Sequence, residues 1–218
     1  MPAQLRRWQI NRHDGTGVPT ISIVKDPAHE QAFLKFNQQK YNISNEDIQG
    51  KDFNNIIQDF LVLEAMGSIK VGKVPDNVAR YYTGKNVIFG AFMVPWKPIF
   101  RIDQETGEQY YGFFTPTDIF NAMQVLSRQP LTTRFNQDHD GTQFLDGAYL
   151  IESEFVVDQK RSKAAAFGQT VPIGTWWGGL SLDENTETFE KYNEGSGFSV
   201  EALLNESIFE SFEVSSSK

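Results

Sequence analysis

The chain of 218 residues reads as a strand-rich α+β protein, one domain with helices set between strands. Three observations lead there. Short apolar runs of strand length recur along the chain, bounded by Gly, Pro, Asn and Asp. Helix start and stop signals are few, and fullest in the one segment that follows Thr115. A content of 18 Phe, 7 Tyr and 4 Trp supplies the apolar surface for a substantial core. No internal repeat and no domain boundary is visible. The whole of residues 1–218 is read as one domain, with residues 1–85 its more elaborated N-terminal part.

In chain order, residues 18–24 alternate well enough for a strand. Asp26, Pro27 and Ala28 open a short helix or turn that carries Phe33, Leu34 and Phe36. Residues 37–55 are polar and rich in Asn and Gln, as a loop would be. Residues 56–66 fit strand and helix equally. After another polar stretch, residues 87–94 form an apolar run of strand length. Residues 99–102 and 110–114 read as two strands joined through Glu105, Thr106 and Gly107 as a hairpin. Thr115 then suits an N-cap, Pro116 the first helical position and Asp118 the first turn. Ile119, Phe120, Met123 and Leu126 follow as one apolar stripe, and Pro130 stops the helix. Residues 145–157 and 174–182 are strand-like, and residues 183–193 helical. Residues 198–204 make the last expected strand, before a soluble tail.

Composition narrows the chemistry. The chain has no cysteine, which excludes disulfides, a thiol nucleophile and a cysteine zinc site. The formal net charge of -8 is the wrong sign for a general nucleic-acid binder, whose affinity rests on phosphate contacts. No apolar run is long enough to span a membrane. The first eight residues are basic but lack the apolar stretch of a signal peptide. No Walker motif and no Gly-x-Gly-x-x-Gly occurs, and no cofactor is expected.

Of the three histidines, His13 and His29 lie in the N-terminal region. His139 lies in Phe135-Asn136-Gln137-Asp138-His139-Asp140-Gly141, among strands. Sixty residues on comes Gly195-Ser196-Gly197-Phe198-Ser199-Val200-Glu201. A serine hydroxyl hardly ionises at neutral pH and needs a base within hydrogen-bond reach, and histidine is the usual base. The bland readings are a structural or surface histidine, and a helix end followed by a small residue in a strand. A third member on the far ring nitrogen is offered by Glu152 or Glu154. If Asp146 and Gly147 make a two-residue hairpin turn, residue 139 pairs with 154 and lies diagonal to 152.

Other chemistries are weaker. Asp138, His139 and Asp140 could donate to a metal, but no second histidine stands at helical or hairpin spacing, so no metal site is expected. Glu152 and Glu154 could act on a glycoside, but paired acids mean little in a chain with 28 of them. Trp176 and Trp177 could stack a sugar; the expected arrangement is one in the core and one at the surface.

Taken together, the pieces resemble the prohead maturation serine proteases of tailed bacteriophages, above all the XkdF-like branch. Ile21-Ser22-Ile23-Val24-Lys25-Asp26-Pro27-Ala28, with Glu30 and Phe33, is similar to an early family segment. Residues 87–95, 99–101 and 107–114 resemble its central strands. Asp138-His139-Asp140-Gly141 resembles its histidine motif, Ile151-Glu152-Ser153 a later strand, and Pro172-Ile173-Gly174-Thr175-Trp176-Trp177 a "PkGTWm" segment. Gly197-Phe198-Ser199-Val200-Glu201 is close to its "GFSIEG" nucleophile motif, with Ala202 where the family has glycine.

The resemblance implies a β-barrel surrounded by helices, like the herpesvirus assemblins. It implies an endopeptidase that cleaves scaffold and major capsid proteins, and itself, during procapsid maturation in the host cytoplasm. By motif, Ser199 is the nucleophile and His139 the base. Glu152 is the preferred third member and Glu154 its geometric rival. No nucleic-acid or membrane partner is implied, and self-association stays open. The main alternative is a catalytically inactive, scaffold-associated capsid-assembly protein. An esterase of the α/β-hydrolase kind lacks its Gly-x-Ser-x-Gly here.

Overall fold

The computed structural model describes residues 3–11, 17–25, 85–103, 105–130, 135–140, 144–182, 186–192, 196–203 and 205–212, with residues 27, 34–35, 70–71, 78, 82 and 142. The expectations for residues 26–33, 36–69 and 72–77 therefore fall outside the described residues, Pro27 excepted. What is described is α+β with mostly strands and few helices, and the strands fall into four sheets. No closed barrel is detected among the described residues.

Five strands confirm the sequence reading nearly to the residue. They are β2 (Gly17–Val24), β5 (Val87–Met93), β6 (Ile99–Ile102), β7 (Gln109–Phe113) and β12 (Gly197–Leu203). β6 and β7 pair antiparallel across the expected turn. Gly107 there takes φ 70°, which a residue without Cβ adopts at no steric cost. The Asp103 carboxylate accepts from the backbone N–H groups of Glu105 and Thr106, both at 2.9 Å, and so closes the turn.

The helix expected after Thr115 is α1 (Pro116–Ser127). Thr115 and Asp118 form a reciprocal capping box at its start, satisfying N–H groups that a helix end otherwise leaves orphaned. Its buried stripe is Ile119, Ala122 and Leu126, with Met123 partly buried. Phe120 was expected in that stripe but is exposed, and meets Phe155 edge-on with ring centroids 5.3 Å apart. The helix ends at Ser127 with Arg128 as cap, two residues short of Pro130. Two shorter helices are α2 (Lys163–Ala166) and α3 (Thr186–Lys191).

The central sheet runs in the order β3 (Leu34–Lys35), β5, β11 (Trp176–Ser181), β9 (Tyr149–Phe155). Every residue of β5 and β11 is buried, because both faces of this sheet are covered. Ile88, Phe92, Trp176 and Leu180 join one apolar cluster; Val87, Phe89, Ala91 and Trp177 join another on the opposite face. Consecutive strand residues point to opposite faces. Trp176 and Trp177 therefore enter one cluster each, and the expectation of a surface tryptophan is corrected. A Cβ on Gly178 would lie 2.4 Å from the Phe92 ring, and one on Gly179 2.3 Å from the Phe89 ring. Only glycines leave room for these rings to lie across β11.

Two long strands were missed, together with four strands of two or three residues, and Leu34, expected in a short helix or turn, lies in the strand β3. β1 (Ala3–Gln9) and β13 (Asn205–Phe212) pair antiparallel from Ala3 opposite Phe212 to Gln9 opposite Asn205. They belong to a sheet in the order β13, β1, β7, β6, with β1 and β7 parallel. A small sheet joins β10 (Gln169–Thr170) to β4 (Lys70–Val71). Among the described residues no helix is long and apolar enough to cross a membrane.

The fourth sheet runs β12, β2, β8 (Phe135–Gln137), with β2 antiparallel to β12 and parallel to β8. Ile21, Ile23, Phe135 and Phe198 turn one face into the core beside Ile119, Ala122 and Leu126 of α1. Strand alternation then sends Ser22, Asn136, Ser199 and Glu201 to the other face.

Candidate active site

Ser22 of β2 lies opposite Ser199 on one side and opposite Asn136 on the other. Three short polar side chains thus form a row across the sheet. Directly opposed residues hold their Cβ atoms about 4.5–5.5 Å apart. Ser199 is accordingly one neighbour removed from whatever Ser22 touches. Glu201, two residues after Ser199, shares its face, and a register irregularity follows it before Leu203. Such irregularities re-aim side chains at strand ends.

His139 reaches this row from a tight turn after β8. The Asp140 N–H donates to the Gln137 carbonyl at 2.8 Å, and the central residues Asp138 and His139 take φ 49° and 60°. Two successive positive φ values match a type I′ turn. Asp and His enter this region more readily than most residues, yet each such residue costs of order 1–3 kcal/mol when strained. The surroundings hold the turn. The Asp138 N–H donates to the Ile23 carbonyl at 3.0 Å. Lys191 Nζ, at the end of α3, donates to Gln137 Oε1 at 2.9 Å and to Asp138 Oδ2 at 3.2 Å. Gln137 Nε2 donates in turn to Thr188 Oγ1 at 3.0 Å. The Tyr192 hydroxyl, and after it Asp138, raise the Lys191 ammonium above the usual lysine range.

The result is a compact polar cluster. His139 Nδ1 lies 2.9 Å from Ser22 Oγ and 3.4 Å from Glu201 Oε1. Ser22 Oγ lies 2.5 Å from Asn136 Oδ1 and 3.3 Å from Glu201 Oε1, and Asn136 Nδ2 donates to Glu201 Oε1 at 2.6 Å. Ser22 and Asn136 are fully buried and Ser199 is 3% exposed. The His139 and Glu201 side chains remain 41% and 33% exposed. The histidine and the glutamate are the solvent-facing part of the cluster, and the serines and Asn136 its floor.

The two residues that carry the predicted chemistry, His139 and Ser199, are therefore brought to one face of one sheet. Among the described residues no hydrogen bond joins them directly; the serine bonded to the imidazole is Ser22. Glu152 and Glu154 are not brought there. β9, which carries them, lies in the central sheet, with Glu152 opposite Gly179 and Glu154 opposite Trp177. Glu152 is ion-paired with Lys163 Nζ at 3.2 Å, and Glu154 accepts from the Lys163 backbone N–H at 2.7 Å. The expected register fails because the chain reverses earlier. The Asp138–His139 turn sets Phe144 against Asn136 as an isolated bridge, and β9 then starts in another sheet. The expected place of Glu152 beside His139 is corrected accordingly.

Ser22, Asn136 and Glu201 went unread in the sequence as site residues. One signal for Glu201 was present, since two positions along a strand return to the same face. Among the described residues no group of three His, Asp or Glu side chains could hold a metal ion. Comparison with protein-family models, with curated proteins and with solved structures finds no match to this chain.

Proposed function

We propose that the chain is a serine endopeptidase, with Ser199 as nucleophile and His139 as general base. The observation that carries this reading is the convergence of His139 and Ser199 on one polar sheet face, from positions sixty residues apart. Both flank Ser22, and the imidazole stays open to solvent. The Ser199 oxygen would attack a peptide carbonyl carbon while its proton passes to Nε2 of His139. Collapse of the tetrahedral adduct breaks the C–N bond, with the proton given to the departing amine. Water then cleaves the acyl ester by the same steps in reverse roles.

The substrate class rests on the motif resemblance. It comprises scaffold and major capsid proteins during phage procapsid maturation, cleaved inside the assembling particle in the host cytoplasm. The assemblin-like barrel belongs to this proposal as well. A gap between nucleophile and base in the unliganded state is compatible with it, because catalytic hydrogen bonds often tighten only when substrate binds. The same gap is what favours the second reading, an inactive capsid-assembly protein.

Co-expression with a scaffold protein separates the two. Ser199→Ala should lower scaffold cleavage by several orders of magnitude, about 10⁶-fold where the residues act as one unit, and His139→Ala should do the same without adding to it. Thermal melting of each variant controls for folding. Equal cleavage by wild type and a folded Ser199→Ala variant would leave the assembly role standing.

A further inference from the structure

We infer that Ser22, Asn136 and Glu201 together act as the positioning group of His139, holding its proton on Nδ1 and leaving Nε2 as the free base. This deepens the peptidase reading and rests on it for its catalytic consequence. The tautomer itself follows from proton bookkeeping alone.

Glu201, as a carboxylate, can only accept. Its Oε1 takes a hydrogen bond from Asn136 Nδ2 at 2.6 Å, which fixes the orientation of that amide. The reverse orientation would set two acceptors against each other. Asn136 Oδ1 therefore faces Ser22 Oγ, 2.5 Å away, and it too can only accept. Ser22 has a single hydroxyl proton, and this short contact claims it. Towards His139 Nδ1, at 2.9 Å, the Ser22 oxygen is left as an acceptor. So is Glu201 Oε1 at 3.4 Å. Both groups facing Nδ1 accept, so Nδ1 carries the proton. The tautomer of a histidine is set in this way by the partners of one ring nitrogen.

The consequence is chemical. In a serine peptidase the proton acceptor is Nε2, and an acid on the other nitrogen keeps that atom bare and steadies the imidazolium. Here the carboxylate comes from the nucleophile's own strand and acts partly through a buried amide and a buried hydroxyl. Ser22 is thereby assigned to orientation: its proton is spent on Asn136, and it lies beneath the surface.

Long-range ¹H–¹⁵N correlation of ¹⁵N-histidine protein reads the tautomer without any substrate. The His139 signals are assigned by their loss in His139→Gln, and the spectrum is taken at a pH where the ring is neutral. The expected wild-type result is a pyrrole-type Nδ1 and a bare Nε2. A wild-type ring protonated on Nε2 overturns the inference, whatever the activity. Glu201→Gln, at a partly exposed site, should move the population towards Nε2–H, because an amide can donate to Nδ1. Retention of the wild-type tautomer in that variant overturns the role of Glu201. If scaffold cleavage is seen, Glu201→Gln should lower kcat by about 10³–10⁴-fold, as expected for a ring in the wrong tautomer. Failure of the peptidase reading shows separately, as cleavage insensitive to Ser199→Ala, with the tautomer result unaffected.

Discussion

Asp118 ties the first strand to the helix beneath the site, and its removal has a magnitude that can be worked out. The carboxylate is 2% exposed. It accepts from Arg7 Nε at 3.1 Å and Arg7 Nη2 at 3.2 Å, from the Thr115 N–H at 2.9 Å and the Thr115 hydroxyl, and from the Ile10 N–H at 3.4 Å. Asp118→Ala would strand all of these donors at once. Removing one partner of a buried ion pair costs about 3–5 kcal/mol. The Arg7 side chain is 32% exposed and can turn to water, which points to the lower end, about 3 kcal/mol. Loss of the helix cap belongs to the same network and is not added separately. For a chain of this size each kcal/mol moves Tm by about 2–4 °C, so a fall of about 6–12 °C is expected. Thermal melting and urea unfolding at unchanged m value measure it. Arg7→Met with Asp118→Ala should cost less than the two changes summed, since the second removes a charge that the first had stranded. A Tm within about 3 °C of wild type, or strict additivity of the pair, would refute the reasoning.

Two further outcomes follow from the same kind of accounting. Hydrogen bonds from the Thr106 N–H, then the Glu105 N–H, hold the Asp103 carboxyl below the usual carboxylate range. A depressed value stabilises above the unfolded value, about pH 4, and is lost as pH falls through the lower folded one. The Tm gap between wild type and Asp103→Ala should thus be constant at neutral pH and close in acid; a gap that widens in acid contradicts this. Trp177→Phe should cost about 1–3 kcal/mol beyond its packing loss, because Trp177 Nε1 donates to Gln169 Oε1 and both are buried. Adding Gln169→Leu should recover part of the fall in urea midpoint, and no recovery would mean the hydrogen bond was not the source.

What could be read from the sequence was what short-range physics determines. The start of α1 is set by four adjacent residues, Thr115 to Asp118, and the β6–β7 turn by five. β5 is apolar throughout and β11 carries one polar residue, Ser181, so both could hardly be anything but buried strands. Phe120 was misplaced because its period fits the stripe, while the space there goes to Ala122. β1 and β13 are rich in polar and charged residues, and nothing within either announces a partner about 200 residues away. The same holds for the floor of the site. Ser22 and Asn136 have the look of a solvent-facing strand position, and their burial follows from a parallel pairing between strands 114 residues apart. His139 and Ser199 were found because each stands in a motif; the group that orients the histidine was not, because no local pattern specifies which distant acid will arrive.

The sheet that carries the site also fixes when the site can exist. Its contacts span 117 residues between Ser22 and His139 and 179 between Ser22 and Glu201. Pairings so distant in sequence form late, after the loop-closure entropy has been met. Ser22 is made first and His139 after it, and the strand bearing Ser199 and Glu201 is made later than both. A growing chain holds the imidazole with neither its carboxylate nor the neighbouring hydroxyl until β12 inserts beside β2. Whatever chemistry the cluster performs is thereby withheld from a chain in which β12 has yet to pair, and that strand serves as its timer.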